Sequence, residues 1–256
     1  MLVNGVMVRS RVKERLDVVR EMASVARQGI LIPQFRKTLR VEGDSAQLVV
    51  FVHGYFASAG VWNPLADHLV EQGVAPRQLH FNYAPTGSIE SHARRLQRAV
   101  ERAHPHGPVS VVAHSLGGLI ARWYIQLLGG RVDSLVAMGT PHHGTDRARG
   151  WPLNLARELS PGSSALRALA ATRHRLAKTR VTCVVGGIDM LVAPESAALE
   201  GASTLTLPDT GHHGLIYHPA AWSAVVDAVG ERALRESGTY PTFREEAPAR
   251  ARARHR

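Results

Sequence analysis

The stretch Val109-Ser110-Val111-Val112-Ala113-His114-Ser115-Leu116-Gly117-Gly118 decides the architecture. Residues 109–113 form a short, nearly continuous apolar run of the kind buried inside a parallel sheet, and Leu116 to Leu128 reads as a helix that follows at once. Ser115 therefore sits on a tight strand-to-helix turn, a nucleophile elbow, which forces its backbone into a strained conformation and projects its hydroxyl above the sheet. Such a turn needs small neighbours. Ala113 stands where the pattern usually has its first glycine, and Gly117 with Gly118 supply close approach behind the serine. At the start of a helix, the Leu116 amide is aimed at charge that would develop in acyl transfer.

Working outward, Leu48 to Val52 is a second buried strand, ending in a turn at His53-Gly54. The spacing predicts helices over Asn63 to Gln72, Ser88 to His104 and Trp222 to Arg235. Further strands are predicted over Gln78 to Tyr83, Val132 to Met138, Val181 to Val185 and Thr204 to Leu207. Strands alternating with helices of this length imply an α/β class, with a doubly wound, mostly parallel sheet and helices on both faces. Asp146 to Lys178 is longer than a simple connection requires. Trp151, Leu153, Leu155, Leu159, Leu166, Leu169 and Leu176 give it an apolar side, and Pro161-Gly162-Ser163 divides it into two helical pieces. It reads either as a lid or as an ordinary helix pair covering the sheet.

The chain has 256 residues, 45% of them hydrophobic, enough for one domain with a sizeable core. Its formal charge of +10 is concentrated at the ends: residues 1–40 carry +6 and 238–256 carry +3, leaving +1 on 41–237. A nearly neutral body between basic ends lacks the continuous basic footprint of a nucleic-acid groove. The organisation expected is a basic N-terminal segment with a first strand over 1–46, a catalytic domain over 47–237, and a basic, disordered tail over 238–256. Within the first segment, Val12, Leu16, Val19, Ala23 and Ala26 recur at helical spacing between Arg9 and Gln28, an amphipathic stripe suited to packing on the domain or to an anionic membrane surface. Phe35 to Val41 reads as a strand. No secretory signal is evident at the start, so a cytoplasmic or peripheral-membrane location is expected. Cys183 is the only cysteine, which excludes an intrachain disulfide and a cysteine-based metal site.

An acyl-transfer serine needs a base, and the base an orienting carboxylate, in the chain order Ser, Asp/Glu, His. Val184-Val185-Gly186-Gly187-Ile188-Asp189 puts a carboxylate just past a strand end, where ligand chemistry collects in open α/β sheets. Asp209 lies too close to the candidate histidines to come from a separate strand end. Gly211-His212-His213-Gly214 follows the last short strand and offers the base. His53 reads as a structural hydrogen-bonder, and His142 with His143 as parts of a loop near the cleft. No His-Glu-x-x-His spacing suggests a metal, and no cofactor is called for.

With these residues, the sequence from about Leu48 to about Val229 resembles the α/β-hydrolase-fold lipases and esterases of bacteria, in particular the small triacylglycerol-lipase group whose elbow reads Ala-His-Ser-x-Gly. The segments that carry the resemblance are Val52-His53-Gly54-Tyr55, the elbow, Met138-Gly139-Thr140-Pro141-His142-His143-Gly144-Thr145, Gly187 to Pro194, and Gly211-His212-His213-Gly214-Leu215. The resemblance implies Ser115 as nucleophile, Asp189 as the orienting acid and His212 as the base, with the Tyr55 and Leu116 amides forming the oxyanion hole. It implies a short helical lid near 146–178 and a small-molecule acyl ester or lipid as substrate. A thioesterase or deacylase of lipid-modified molecules uses the same triad. The rival outside enzymes is a lipid-binding scaffold that retained the fold.

Overall fold

The computed structural model describes residues 39–41, 47–74, 77–107, 109–148 and 154–237. The amphipathic stretch 9–28 and the tail beyond 237 lie outside these residues, as do Trp151 and Leu153. Among the described residues, seven strands form one sheet: β1 Leu39–Val41, β2 Leu48–Val52, β3 Arg77–Phe81, β4 Val109–His114, β5 Ser134–Met138, β6 Arg180–Gly186 and β7 Ser203–Leu207. Their order is β1-β3-β2-β4-β5-β6-β7. Six run parallel; β1 pairs antiparallel with β3 at the edge, Leu39 opposite His80. The helices are α1 Asn63–Glu71, α2 Ile89–Ala103, α3 Leu116–Leu128, α4 Asn154–Arg157, α5 Ser164–Ala171, α6 Pro194–Ala197 and α7 Pro219–Ser237.

Strand periodicity splits the core between the two faces. Leu48, Val50 and Val52 point to one side with Val111, Ala113, Leu135, Ala137, Cys183 and Val185. There they meet Ile89, Ala93, Leu96 and Val100 of α2 and Leu119 and Ile120 of α3. Val49, Phe51, Val112, Val136, Met138 and Val184 point to the other side, against Leu65 and Leu69 of α1 and Ala221, Val225 and Val229 of α7. β2, β4 and β5 are buried along their whole length, which is why they read as continuous apolar runs.

Most element boundaries differ from the sequence reading by one to three residues. β5 begins at Ser134 because its ladder starts with Ser134 opposite Ser110, while the Asp133 amide bonds the Val109 carbonyl at 2.9 Å. α2 begins at Ile89 because Ser88 caps it: the Ser88 hydroxyl accepts the Ser91 amide at 3.0 Å and the Ser91 hydroxyl accepts the Ser88 amide at 3.0 Å.

The described part of the long insertion belongs to the helical layer on the α2–α3 side. Leu155, Leu159, Leu166, Leu169 and Leu176 are all buried in that core. Its attachment to α3 is polar and buried. The Arg122 guanidinium donates to Gln126 Oε1 at 2.9 Å and to the Leu169 carbonyl at 3.1 Å, and Gln126 Nε2 donates to the same carbonyl at 2.7 Å. Burial lowers the Arg122 pKa to about 10. The Glu158 carboxylate reaches across to accept the Ile89 amide at 2.6 Å, at the positive end of α2. No helix among the described residues is long and apolar enough to cross a membrane.

Candidate active site

The site is assembled at the carboxyl ends of the parallel strands, where loops from several strands converge. Ser115 follows β4 directly and takes φ 53° and ψ −126°, a region that side chains rarely enter. Two contacts hold the elbow. The Ser115 amide donates to the Met138 carbonyl of β5 at 2.8 Å, and the Gly118 amide donates to the Ser115 carbonyl at 3.0 Å. A Cβ on Gly117 would run into the Val52 and His53 carbonyl oxygens, and one on Gly118 into the Thr140 side chain. Both glycines thus let α3 start directly against the ends of β2 and β5.

Asp189 and His212 come from loops after β6 and β7 and meet: Nδ1 of His212 lies 2.7 Å from Oδ2 of Asp189, with both side chains buried. The remaining Asp189 oxygen accepts the Leu191 and Val192 amides, each at 2.8 Å, so three donors fix the carboxylate. His212 also packs beside Gly139, where a Cβ would come within 3.1 Å of its Nδ1. Gly139 directly follows Met138, whose carbonyl anchors Ser115, so one two-residue segment touches both the elbow and the imidazole. The His213 ring stands edge-on to His212 at 5.3 Å. Its pKa is lowered to about 4 by burial, with a smaller push from His212.

The turn after β2 lies against the elbow: a Cβ on Gly54 would come within 3.1 Å of Ser115 Cβ and 2.7 Å of His114 Nδ1. Buried His53 braces that turn. A carbonyl can only accept, so His53 Nδ1 donates to the Gly54 oxygen at 2.8 Å, leaving Nε2 to accept the Tyr83 amide at 3.3 Å. The two rings stack at 4.2 Å, and the Tyr83 hydroxyl returns to the His53 carbonyl at 2.7 Å. Burial pushes the His53 pKa down to about 4. In a trans peptide the carbonyl and the following N–H point in opposite directions, so anchoring the Gly54 oxygen also aims the Tyr55 amide. Phe56, next in the turn, is the other non-glycine residue with positive φ among the described residues. Phe56, Ile188 and Met190 are exposed apolar side chains, flanking the Tyr55 turn on one side and Asp189 on the other.

His142 does not face His212. Arg122 donates to its Nδ1 at 3.2 Å, and its Nε2 lies 3.6 Å from Cys183 Sγ, beneath the site. Among the described residues no group of three or more His, Cys, Asp or Glu could hold a metal ion. Sequence reasoning missed the residues that knit the loops together. Thr145 Oγ1 donates to the Leu191 carbonyl at 2.5 Å, and Ser196 Oγ to the Gly144 carbonyl at 2.6 Å. The resemblance quoted Thr145 inside a motif without giving it a role, and nothing local marks Ser196.

This chain has the α/β-hydrolase fold. Residues 47–157 match the family model described as alpha/beta hydrolase fold. Among solved structures it is similar to the mature form of a Bacillus licheniformis lipase, at 17% identity and a TM-score of 0.62 over 75% of this chain and 98% of that one. It is also similar to Aspergillus fumigatus lipase B, at 20% identity and a TM-score of 0.60 over 72% of this chain and 52% of that one. A monoacylglycerol lipase from Paleococcus ferrophilus matches at 15% identity and a TM-score of 0.57, over 75% of this chain and 98% of that one. At such identities the likeness is one of fold.

Proposed function

We propose that this protein is a serine hydrolase that cleaves carboxylic, lipid-like esters through an acyl-enzyme. The observation that carries the reading is the buried His212–Asp189 bond of 2.7 Å, together with a serine held in the strained elbow conformation. Because Asp189 accepts at Nδ1, the neutral imidazole carries its hydrogen there and presents a free lone pair on Nε2, the arrangement a general base requires. Ser115 Oγ attacks the ester carbonyl as its proton passes to Nε2. Asp189 stabilises the imidazolium, and the proton is then given to the departing alcohol. Water repeats the sequence to release the acid. The Leu116 amide, first in α3 and therefore without an intrahelical acceptor, and the Tyr55 amide stabilise the oxyanion. The exposed apolar side chains beside the Tyr55 turn and Asp189 favour a substrate with an apolar portion. The lipases among the structural neighbours are consistent with this.

Hydrolysis of p-nitrophenyl esters of increasing chain length, with an acyl-thioester alongside, tests the reading. Ser115→Ala is expected to lose activity on the order of 10⁴-fold while keeping its melting temperature, and a fluorophosphonate should label the wild type at Ser115. A folded Ser115→Ala protein with full turnover refutes the mechanism. A clear preference for the thioester moves the substrate class to acyl carriers or acylated proteins.

A further inference from the structure

His114, the last residue of β4, carries no role in the mechanism above, yet its ring lies between the oxyanion turn and the loop of the base. It is buried. Its Nε2 lies 3.0 Å from the backbone oxygen of His212, and its ring is centred 4.6 Å from the His212 ring. Its Nδ1 is buried without a hydrogen-bond partner and faces Gly54, where a Cβ would approach to 2.7 Å.

The hydrogen positions follow from the acceptor. A carbonyl oxygen cannot donate, so Nε2 bears the hydrogen. Nδ1 then holds a buried lone pair with no partner to share a second proton. Burial, reinforced by the neighbouring His212 and His213, holds the group neutral by keeping its pKa well below the usual histidine value. A leucine or phenylalanine would occupy the same space without leaving a buried nitrogen unsatisfied, a condition native interiors seldom retain without a reason. The one thing the imidazole offers that those residues lack is the N–H directed at His212.

We propose that His114 is a positioning residue: as a neutral imidazole with its hydrogen on Nε2, it ties the His212 carbonyl to the residue preceding the nucleophile and so fixes the base loop against the elbow. This rests on the serine-hydrolase reading above. The Asp189 bond orients the His212 ring; the His114 bond holds the His212 backbone itself to the end of β4. Because the nucleophile and the tether are consecutive residues, any movement of the elbow carries the base with it. Without the tether, Nε2 of His212 loses its fixed distance from Ser115 Oγ, and proton transfer suffers while substrate binding does not.

Two substitutions separate the bond from the packing. Gln places an amide nitrogen about where Nε2 lies, whereas Asn is too short to reach the His212 carbonyl. With a short soluble p-nitrophenyl ester, His114→Gln should keep kcat within a few-fold of wild type. His114→Asn and His114→Leu should lose kcat by up to about 10²-fold, the scale expected when a reacting group is misplaced by an ångström. KM should stay within about twofold in all three variants, and fluorophosphonate labelling of Ser115 should slow in parallel with kcat. Equal kcat values for the Gln and Asn variants, or a folded Leu variant labelled at the wild-type rate, would overturn the proposal. If the Leu variant does not fold, the Gln–Asn pair decides. Ser115→Ala measured beside them distinguishes the two levels: an active Ser115→Ala protein removes the serine mechanism itself, whereas an inactive one with indifferent His114 variants removes only the tether.

Discussion

Two glycines at opposite rims of the sheet, Gly117 and Gly129, answer to different demands. At the carboxyl rim, Asp189 bonds the Leu191 and Val192 amides of its own loop, and side chains tie the loops after β5 and β6 to each other: Thr145 to the Leu191 carbonyl, Ser196 to the Gly144 carbonyl. Gly117 is required there by neighbouring backbone that leaves no room for a Cβ. Side chains bond backbone at the amino rim as well, Thr179 Oγ1 donating to the Val132 carbonyl at 2.8 Å, but one glycine there is of another kind. Gly129 ends α3 at φ 71° and ψ 23°, and a Cβ there would meet open space. Open clefts of about 350 Å³, beside Arg173, Leu199 and Glu200, and about 170 Å³, beside His104, Tyr124 and Arg131, lie at this end. Gly117 is thus a packing requirement and Gly129 a conformational convenience, and the first of the two sits beside the candidate chemistry.

That contrast is most exposed to test at the histidine doublet. His212→Ala should cost on the order of 10⁴-fold in kcat/KM with little change in melting temperature, matching Ser115→Ala because nucleophile and base act as a unit. His213→Ala, one residue away on the same rim, should retain appreciable activity. A dead His213→Ala and an active His212→Ala would move the base to His213.

Acid should dismantle the carboxyl rim next. His53 and His213 there, and His80 in β3, have pKa values lowered to about 4, in each case chiefly by burial. The unfolded chain binds protons at these groups from about pH 6.5 downward and the folded one does not. Their contribution to stability is therefore complete above that pH and declines as pH falls toward 4. Each such histidine removes up to about 1.4 kcal/mol per pH unit in that window. A melting temperature unchanged between pH 7 and pH 4.5 would contradict this.

Gly117→Ala should lower stability by about 3 kcal/mol and reduce activity together, since the methyl can be accommodated only by moving the end of β2 or the start of α3. Gly129→Ala, at the other rim, should cost about 1 kcal/mol for the positive φ alone and leave kcat/KM untouched. Chemical denaturation and ester hydrolysis on the two variants measure both quantities, and similar behaviour from the pair would erase the distinction between the rims.

What the sequence revealed follows the same division between local and distant causes. The elbow was legible because strand, turn, serine and glycines are contiguous over 109–118, and Asp189 because it follows an apolar run and two glycines. The three-residue strand β1 was only partly legible: its apolar content suggested a strand, but its antiparallel pairing with β3 depends on a partner about forty residues away. In the insertion between β5 and β6, Pro161-Gly162-Ser163 marks the break locally, with α4 before it and α5 after it. Its attachment through Arg122 and Gln126 is not legible, because a buried arginine bonded to a carbonyl 47 residues away leaves no periodic trace. The His114 bond to His212 spans 98 residues and is invisible for the same reason.

Cys183 has a consequence of a different kind. The sole thiol of the chain lies at the centre of β6, inaccessible from either face, with its pKa pushed up to about 11 by burial. A soluble disulfide reagent can therefore reach it only when the sheet opens, and even then only as thiolate forms. The molecule thus carries its own clock for rare excursions from the native state: the rate of colour release from an aromatic disulfide reports sheet opening without an added label, and a bound acyl-enzyme inhibitor that holds the carboxyl rim closed should slow it.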